Sequence, residues 1–370
     1  MKNGESEIII KEKVTTTEKR EIKKIETIGL IIVGLSLIGL FLIPDKIAGV
    51  FEAMFTNAYN IFKVFIFGGT VGIAIIVSVM TGRILERLGF TDALVRIFVP
   101  IMKYLGVNST VVIPAIYNIL GDINAAGRIA GPVLVKAKAS KDEQKIAIAT
   151  MVQSQQSFST FMLGLLAMTH VGIKVFPVIL ITIFLPLIIV PLILKLTIYR
   201  NTKPVSINTL PYFTPDTPAL PTIFNSAREG AELLFLLIIP AGAAIYAIIG
   251  GLDYLGVWDP INSVITKMLT SFSIHPETGL ISIMISPTLA MGTLAQAVKD
   301  NVISPALVLG SFILASSGFP LSVIFGQIPA VWAETTDLTE KEAMSAAVLG
   351  AVMRIITAAV LAIFFINLFV

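Results

Sequence analysis

The sequence predicts an all-α integral membrane protein: two inverted repeats, about seven transmembrane helices and two re-entrant hairpins. Three observations carry that expectation. Hydrophobic residues make up 55% of the 370 positions and charged residues only 14%, against about 25% charged in an ordinary soluble domain; the mean hydropathy is +0.88. The apolar runs are long and lack period-two alternation, which selects helices over an outer-membrane barrel. Finally, the two sides of a Pro-rich linker repeat the same short motifs in the same order.

Residues 1–26 carry seven Lys/Arg and six Glu with little apolar periodicity, which reads as a solvated cytoplasmic tail. The apolar run 27–43 ends in Pro44-Asp45-Lys46 without a small-residue cleavage site. It is read as a retained anchor, with an outer loop following to residue 59. Spans long enough for ~30 Å of hydrocarbon are expected at 27–43, 61–82, 146–169, 174–197, 231–250, 303–332 and 343–369. Amphipathic pieces fall at 92–105 and 260–272, and a Pro-rich cytoplasmic linker occupies 199–228. The first repeat is thus 60–198 and the second 229–370.

The duplication rests on paired motifs. "LGFTDAL" (88–94) returns as "LGVWDPI" (255–261), "GDINAAGR" (121–128) matches "SPTLAMGT" (286–293), and "QSFSTF" (156–161) matches "SGFPLS" (317–322). The stretch 107–135 splits at Gly121-Asp122 into two pieces too short to cross, so it reads as a hairpin returning to its own side. A single kinked crossing would bury Asp122 and Arg128 in lipid. The stretch 279–297 is re-entrant or spanning by its own composition, and the duplication favours re-entrant. With both hairpins re-entrant, 20 Lys/Arg lie on the cytoplasmic side and five outside, the positive-inside pattern. Each half then crosses three times, which inverts one against the other.

"MVQSQQSFST" (151–160) places Gln153, Ser154, Gln155, Gln156, Ser157, Ser159 and Thr160 mid-span, and "ASSGFPLS" (315–322) occupies the equivalent place. Gly318 and Pro320 suggest an unwound joint. The expected substrate site faces hairpin tips toward these two broken helices: Asp122, Asn124, Ser286 and Thr288 on the tips; Gln153, Gln155, Gln156, Ser157, Ser316 and Ser317 on the breaks. Arg128, Gln296 and Gln327 are secondary candidates. Asp122 also fits an N-cap, and Arg128 fits a pair with Asp122 or a substrate anion. Ser159, Thr160 and Ser322 also suit helix packing. Arg354 is expected to snorkel or pair with Glu334, and Trp258 and Trp332 to sit at the interfaces.

Cysteine is absent and the two histidines, His170 and His275, are far apart. No H-E-x-x-H, G-x-S-x-G or P-loop pattern occurs, so neither an enzyme nor a nucleotide-driven pump is expected. A net charge of +3 gives no reason to invoke nucleic acid.

The stretches "GDINAAGRIAGPVLVKAKASKDEQKIAIATMVQSQQSFSTFMLGLLAM" (121–168) and "SPTLAMGTLAQAVKDNVISPALVLGSFILASSGFPLSVIFGQIPA" (286–330) carry a family resemblance. In element order, residues 60–368 resemble the nucleoside-recognition (Gate) domain family, which includes spore-maturation-type membrane proteins. That family is similar to the core of concentrative nucleoside transporters and to the gate modules of ferrous-iron transporters. The resemblance implies a substrate held between hairpin tips and broken helices. Concentrative nucleoside transporters carry glutamates in the first hairpin and its facing helix; here no Glu occurs between Glu86 and Glu143.

The expected function is secondary transport of a small polar solute, nucleoside or nucleobase being the named class, in the plasma membrane. The lipid bilayer is its surrounding, a homo-oligomer its assembly, Na⁺ or H⁺ its coupling ion, and no cofactor is expected. The alternatives are a non-transporting assembly or export-accessory protein and an ion channel.

Overall fold

A computed structural model of the chain describes residues 23–63, 71–121, 123–154, 157–205, 210–300, 302–317 and 320–370, without the side chains of 60–62 and Asn124. Among them every regular element is helical. The chain forms two units, residues 1–52 and 53–370. The first contains α1 (Lys24–Leu42), none of whose residues is buried. After it, α2 (Pro44–Phe62) replaces the expected outer loop. Pro44 at the first position presets helical backbone angles, and Asp45 complements the N-terminal dipole.

In the second unit the order is α3 (Val71–Arg87), α4 (Phe90–Leu105), α5 (Ile113–Leu120), α6 (Ile123–Lys136), α7 (Lys141–Gln153) and α8 (Phe158–His170). A continuous helix follows, α9 (Val175–Ile179) and α10 (Pro186–Thr197) joined by a π-turn. Beyond the linker, α11 (Ala219–Glu232) and α12 (Ile239–Tyr254) are joined in the same way. Then come α13 (Trp258–Ser271), α14 (Pro276–Met284), α15 (Pro287–Asp300), α16 (Pro305–Ala315), α17 (Ile328–Thr335) and α18 (Glu340–Phe364). Among the described residues three π-turns, 180–184, 233–238 and 323–327, each lead into a helix with proline at its first or second position. Proline removes one N–H and crowds the carbonyl four residues back, so the turn before it widens.

Among the described residues four helices are long and apolar enough to cross a membrane: Lys24–Leu42, Val175–Thr197, Ala219–Tyr254 and Glu340–Phe364. They coincide with four of the expected spans. Two others, 146–169 and 303–332, are broken. The 13 residues of α7 reach only ~20 Å, so α7 and α8 together make one crossing length, as do α16 and α17. The remaining expected span, 61–82, is described only in part. The linker is shorter than expected, because α11 already begins at Ala219.

The hairpins take shape from local chemistry. Asn108 Oδ1 accepts from the Thr110 amide to start the first arm, and the Gly121 amide closes it on Tyr117 O. The second hairpin starts at His275, whose Nδ1 faces Thr278, and breaks at Ile285-Ser286. Burial pushes the His275 imidazole down, which favours the neutral ring that can accept as a cap. Two hydrophobic cores enclose these arms. One centres on Ile113, Ile116, Ile146, Met151 and Trp332, the other on Leu163, Leu289, Met291, Phe312 and Ile313.

Packing repeats under exchange of the halves. The first arm of each hairpin lies on the first half-helix of its own repeat, α5 on α7 and α14 on α16. The second arm lies on the second half-helix of the other repeat, α6 on α17 and α15 on α8. The sense of the halves follows from α18. Lys141 and Lys145 pair with Glu342, at 3.1 and 3.3 Å, and Gln153 reaches Thr357, so α7 runs parallel to α18. Gly310 faces Ala362 whereas Ile313 meets Arg354, so α16 runs antiparallel to α18. The equivalent half-helices α7 and α16 therefore point at each other, and the repeats are inverted.

Candidate functional site

The two chain breaks are built differently. In the first, Ser154 is extended and Ser157 holds φ +61° and ψ 125°, a conformation that costs a non-glycine residue about 1–3 kcal/mol. In the second, Pro320 cannot continue a helix from α16, and helix resumes at Leu321.

Around these breaks lies a cavity of about 560 Å³. Gly121 and Ile123 from the first hairpin tip and Ile285 and Ser286 from the second line it, with Ser157–Thr160 from one break and Pro320, Ser322 and Val323 from the other. Hydrogen-bonding groups on the wall include Ser157, Ser286, Thr288, Ser322 and Gln327; Phe158 and Leu237 add apolar surface. The starts of α6, α8 and α15 all face this space, and helix N-termini carry partial positive charge that favours anionic or acceptor-rich groups. Thr160 Oγ1 and Thr288 Oγ1 share a buried hydrogen bond of 3.0 Å, tying α8 to α15.

One wall is charged. Arg83, Glu229 and Glu232 line the cavity. Arg83 Nε donates to Glu229 Oε2 at 2.9 Å, and its Nη1 to Glu86 Oε2 at 2.7 Å. Sequence reasoning counted Arg83 only as a loop cation and did not weigh Glu229 or Glu232. Their placement at the ends of facing helices α3 and α11 was the available signal.

The expected site residues divide. Ser157, Ser286, Thr288 and Gln327 line the cavity. Asp122, Gln155 and Gln156 lie outside the described residues, as does the side chain of Asn124. Gln153 turns to α18, its Nε2 donating to Thr357 Oγ1 at 2.9 Å. Ser316 and Ser317 are fully buried, each hydroxyl donating three residues back, to Ile313 O and Leu314 O. Gln296 bonds Asp300 at the far end of α15, and Arg128 is exposed on α6.

Arg354 corrects the sequence reading. It neither snorkels nor pairs with Glu334: it is wholly buried. Its Nε donates to Ile313 O at 2.6 Å, Nη1 to Gln153 O and Thr182 O at 2.7 and 2.8 Å, and Nη2 to Ser316 Oγ at 2.6 Å. Gln153 and Ile313 sit in the last turns of α7 and α16, where carbonyls lack intrahelical partners and the dipole is negative. One guanidinium thus neutralises both inward-pointing C-termini while the N-termini face the cavity. Trp332 is a second correction: it is buried in the first core, not at an interface. It lies behind α6, and its indole N–H has no partner.

No protein-family model matches the sequence, and no curated protein sequence matches it. Solved structures do match in three dimensions. CNTnw in an inward-facing substrate-bound state aligns with a TM-score of 0.58 at 15% identity, covering 91% of this chain and 83% of that one. A CNTnw variant in an outward-facing state gives 0.58 at 14% identity over 91% and 84%. Another, in an intermediate state, gives 0.54 at 15% identity over 93% and 87%. At these identities the chain shares the fold of those structures.

Proposed function

We propose that the chain is a secondary transporter that carries a small polar solute across the cell membrane by alternating access. The observation behind this reading is the cavity where both hairpin tips and both helix breaks converge. Its hydroxyls, the Gln327 amide and the helix N-termini suit an uncharged solute rich in hydrogen-bonding groups, and Phe158 suits a flat apolar face. A nucleoside or nucleobase has that character. The fold likeness to the concentrative nucleoside transporter CNTnw, solved facing outward and inward, supports a site that opens alternately to each side.

The lysine and arginine bias puts the N-terminal tail and the 136–145 segment in the cytoplasm. Coupling is assigned to Na⁺, held by backbone carbonyls and hydroxyls, or to H⁺, with Asp122 as the titrating group. Assembly as a homo-oligomer belongs to the same reading.

Uptake of radiolabelled uridine and adenine into proteoliposomes, with and without a Na⁺ gradient, tests it. Saturable uptake is expected, falling about tenfold or more in Thr288→Val and Gln327→Leu variants that fold normally, as loss of one or two hydrogen bonds to the solute requires. Absence of solute flux would favour an assembly role. Conduction without saturation would favour a channel.

A further inference from the structure

A second cleft, of about 330 Å³, opens between α10 and α18, the cavity described above being elsewhere. Both helices belong to segments able to cross a membrane. Ile189 and Ile193 on one side and Ile356 and Val360 on the other form its rim and are exposed to the surroundings. Among the described residues the only polar side chains lining it are Gln153 and Thr357. The hydrogen bonds fix the amide. Thr357 Oγ1 donates to Met353 O at 2.8 Å and so accepts from Gln153 Nε2 at 2.9 Å. That leaves Gln153 Oε1 buried without a partner.

An unmatched acceptor this deep bears its full desolvation penalty unless something donates to it. Water fits poorly, because a buried water needs two to four polar partners and the wall offers one open acceptor among aliphatic groups. A donor carried on an apolar body fits both features, and the volume lies at the small end of ligand sites. We infer that this cleft binds an apolar molecule dissolved in the bilayer and bearing a single hydroxyl, a medium-chain alcohol by class, which donates to Gln153 Oε1. The same residue's main-chain carbonyl is held by Arg354, so an occupant would brace the end of α7 at the first helix break.

The full chain in phosphatidylcholine nanodiscs is photolabelled with a diazirine-bearing octanol and with the matching diazirine octane. The alcohol is expected to label α10 and α18 peptides around the cleft at least about threefold more than the alkane, the preference one hydrogen bond supplies. Gln153→Leu should reduce the alcohol to the alkane's level. Ile189→Trp, which fills the mouth and touches no polar atom, should abolish labelling by both. Equal labelling of the wild type by the two probes, or wild-type labelling by the alcohol in either variant, overturns the inference; if Gln153→Leu fails to fold, Ile189→Trp and the probe comparison decide.

Discussion

At the scale of single residues, the side chain that does most is Arg354. A buried cation is tolerated only when its donors are matched, and here four of the five guanidinium N–H groups meet oxygens from α7, α16 and the π-turn between α9 and α10. Arg354→Met removes the charge and leaves Gln153 O, Thr182 O and Ile313 O without that donor. Thermal melting in detergent should report a loss of at least about 3 kcal/mol, and Arg354→Lys should recover part of it, since an ammonium has three donors and no fork. Equal stability of the Met variant and the parent would show that the contacts hold nothing. Ser157 makes the opposite prediction. Its positive φ is free for glycine, so Ser157→Gly should melt within about 1 kcal/mol of the parent, or above it, whereas Ser157→Val should lose about 1–3 kcal/mol. Sequence reasoning found Ser157 through the polar cluster around it. It missed Arg354's role by setting it near a helix end, although the residue falls inside the expected 343–369 span, where an ionisable group signals a site.

At the scale of elements, half-helices and hairpin arms hold together by close approach. A Cβ on Gly127 would lie 2.8 Å from Val331 Cγ1 and 2.9 Å from Trp332 Nε1, so α6 rests on α17 at this point. Gly127→Val should therefore destabilise by about 1–3 kcal/mol. Gly29→Ala, with nothing within 4 Å, serves as the control and should change the melting temperature little. The motif alignment sets Gly127 opposite Gly292, which meets Val71 as tightly; the repeat was legible because such contacts fix small residues at set positions. Helix breaks were legible too, from polar clusters and Pro320. The helix at 44–62 was not, because its mixed polar and apolar pattern lacks the continuous apolar run that marked the spans.

At the scale of the whole molecule, inversion of the repeats explains why α7 and α16 point at one buried cation while α8 and α15 begin at one cavity. The sequence disclosed inversion through an odd number of crossings per half and the 20-to-5 distribution of Lys and Arg. It could not say which polar side chains face the cavity, because a helical wheel loses its phase where the helix breaks. Gln153 and Ser317 thus fell on the packed side and Ser157 and Ser322 on the open one. The chain contains no cysteine, so single cysteines report cleanly. The most direct test introduces them at Ser157, Ser286 and Ser322 on the cavity wall and at the buried Ser154, Ser311 and Ser317, and measures modification by a water-soluble methanethiosulfonate. Modification is expected at the first three and none at the second three; silence at the cavity positions, or equal reaction at all six, would rule out a water-filled pocket between the hairpin tips and the helix breaks.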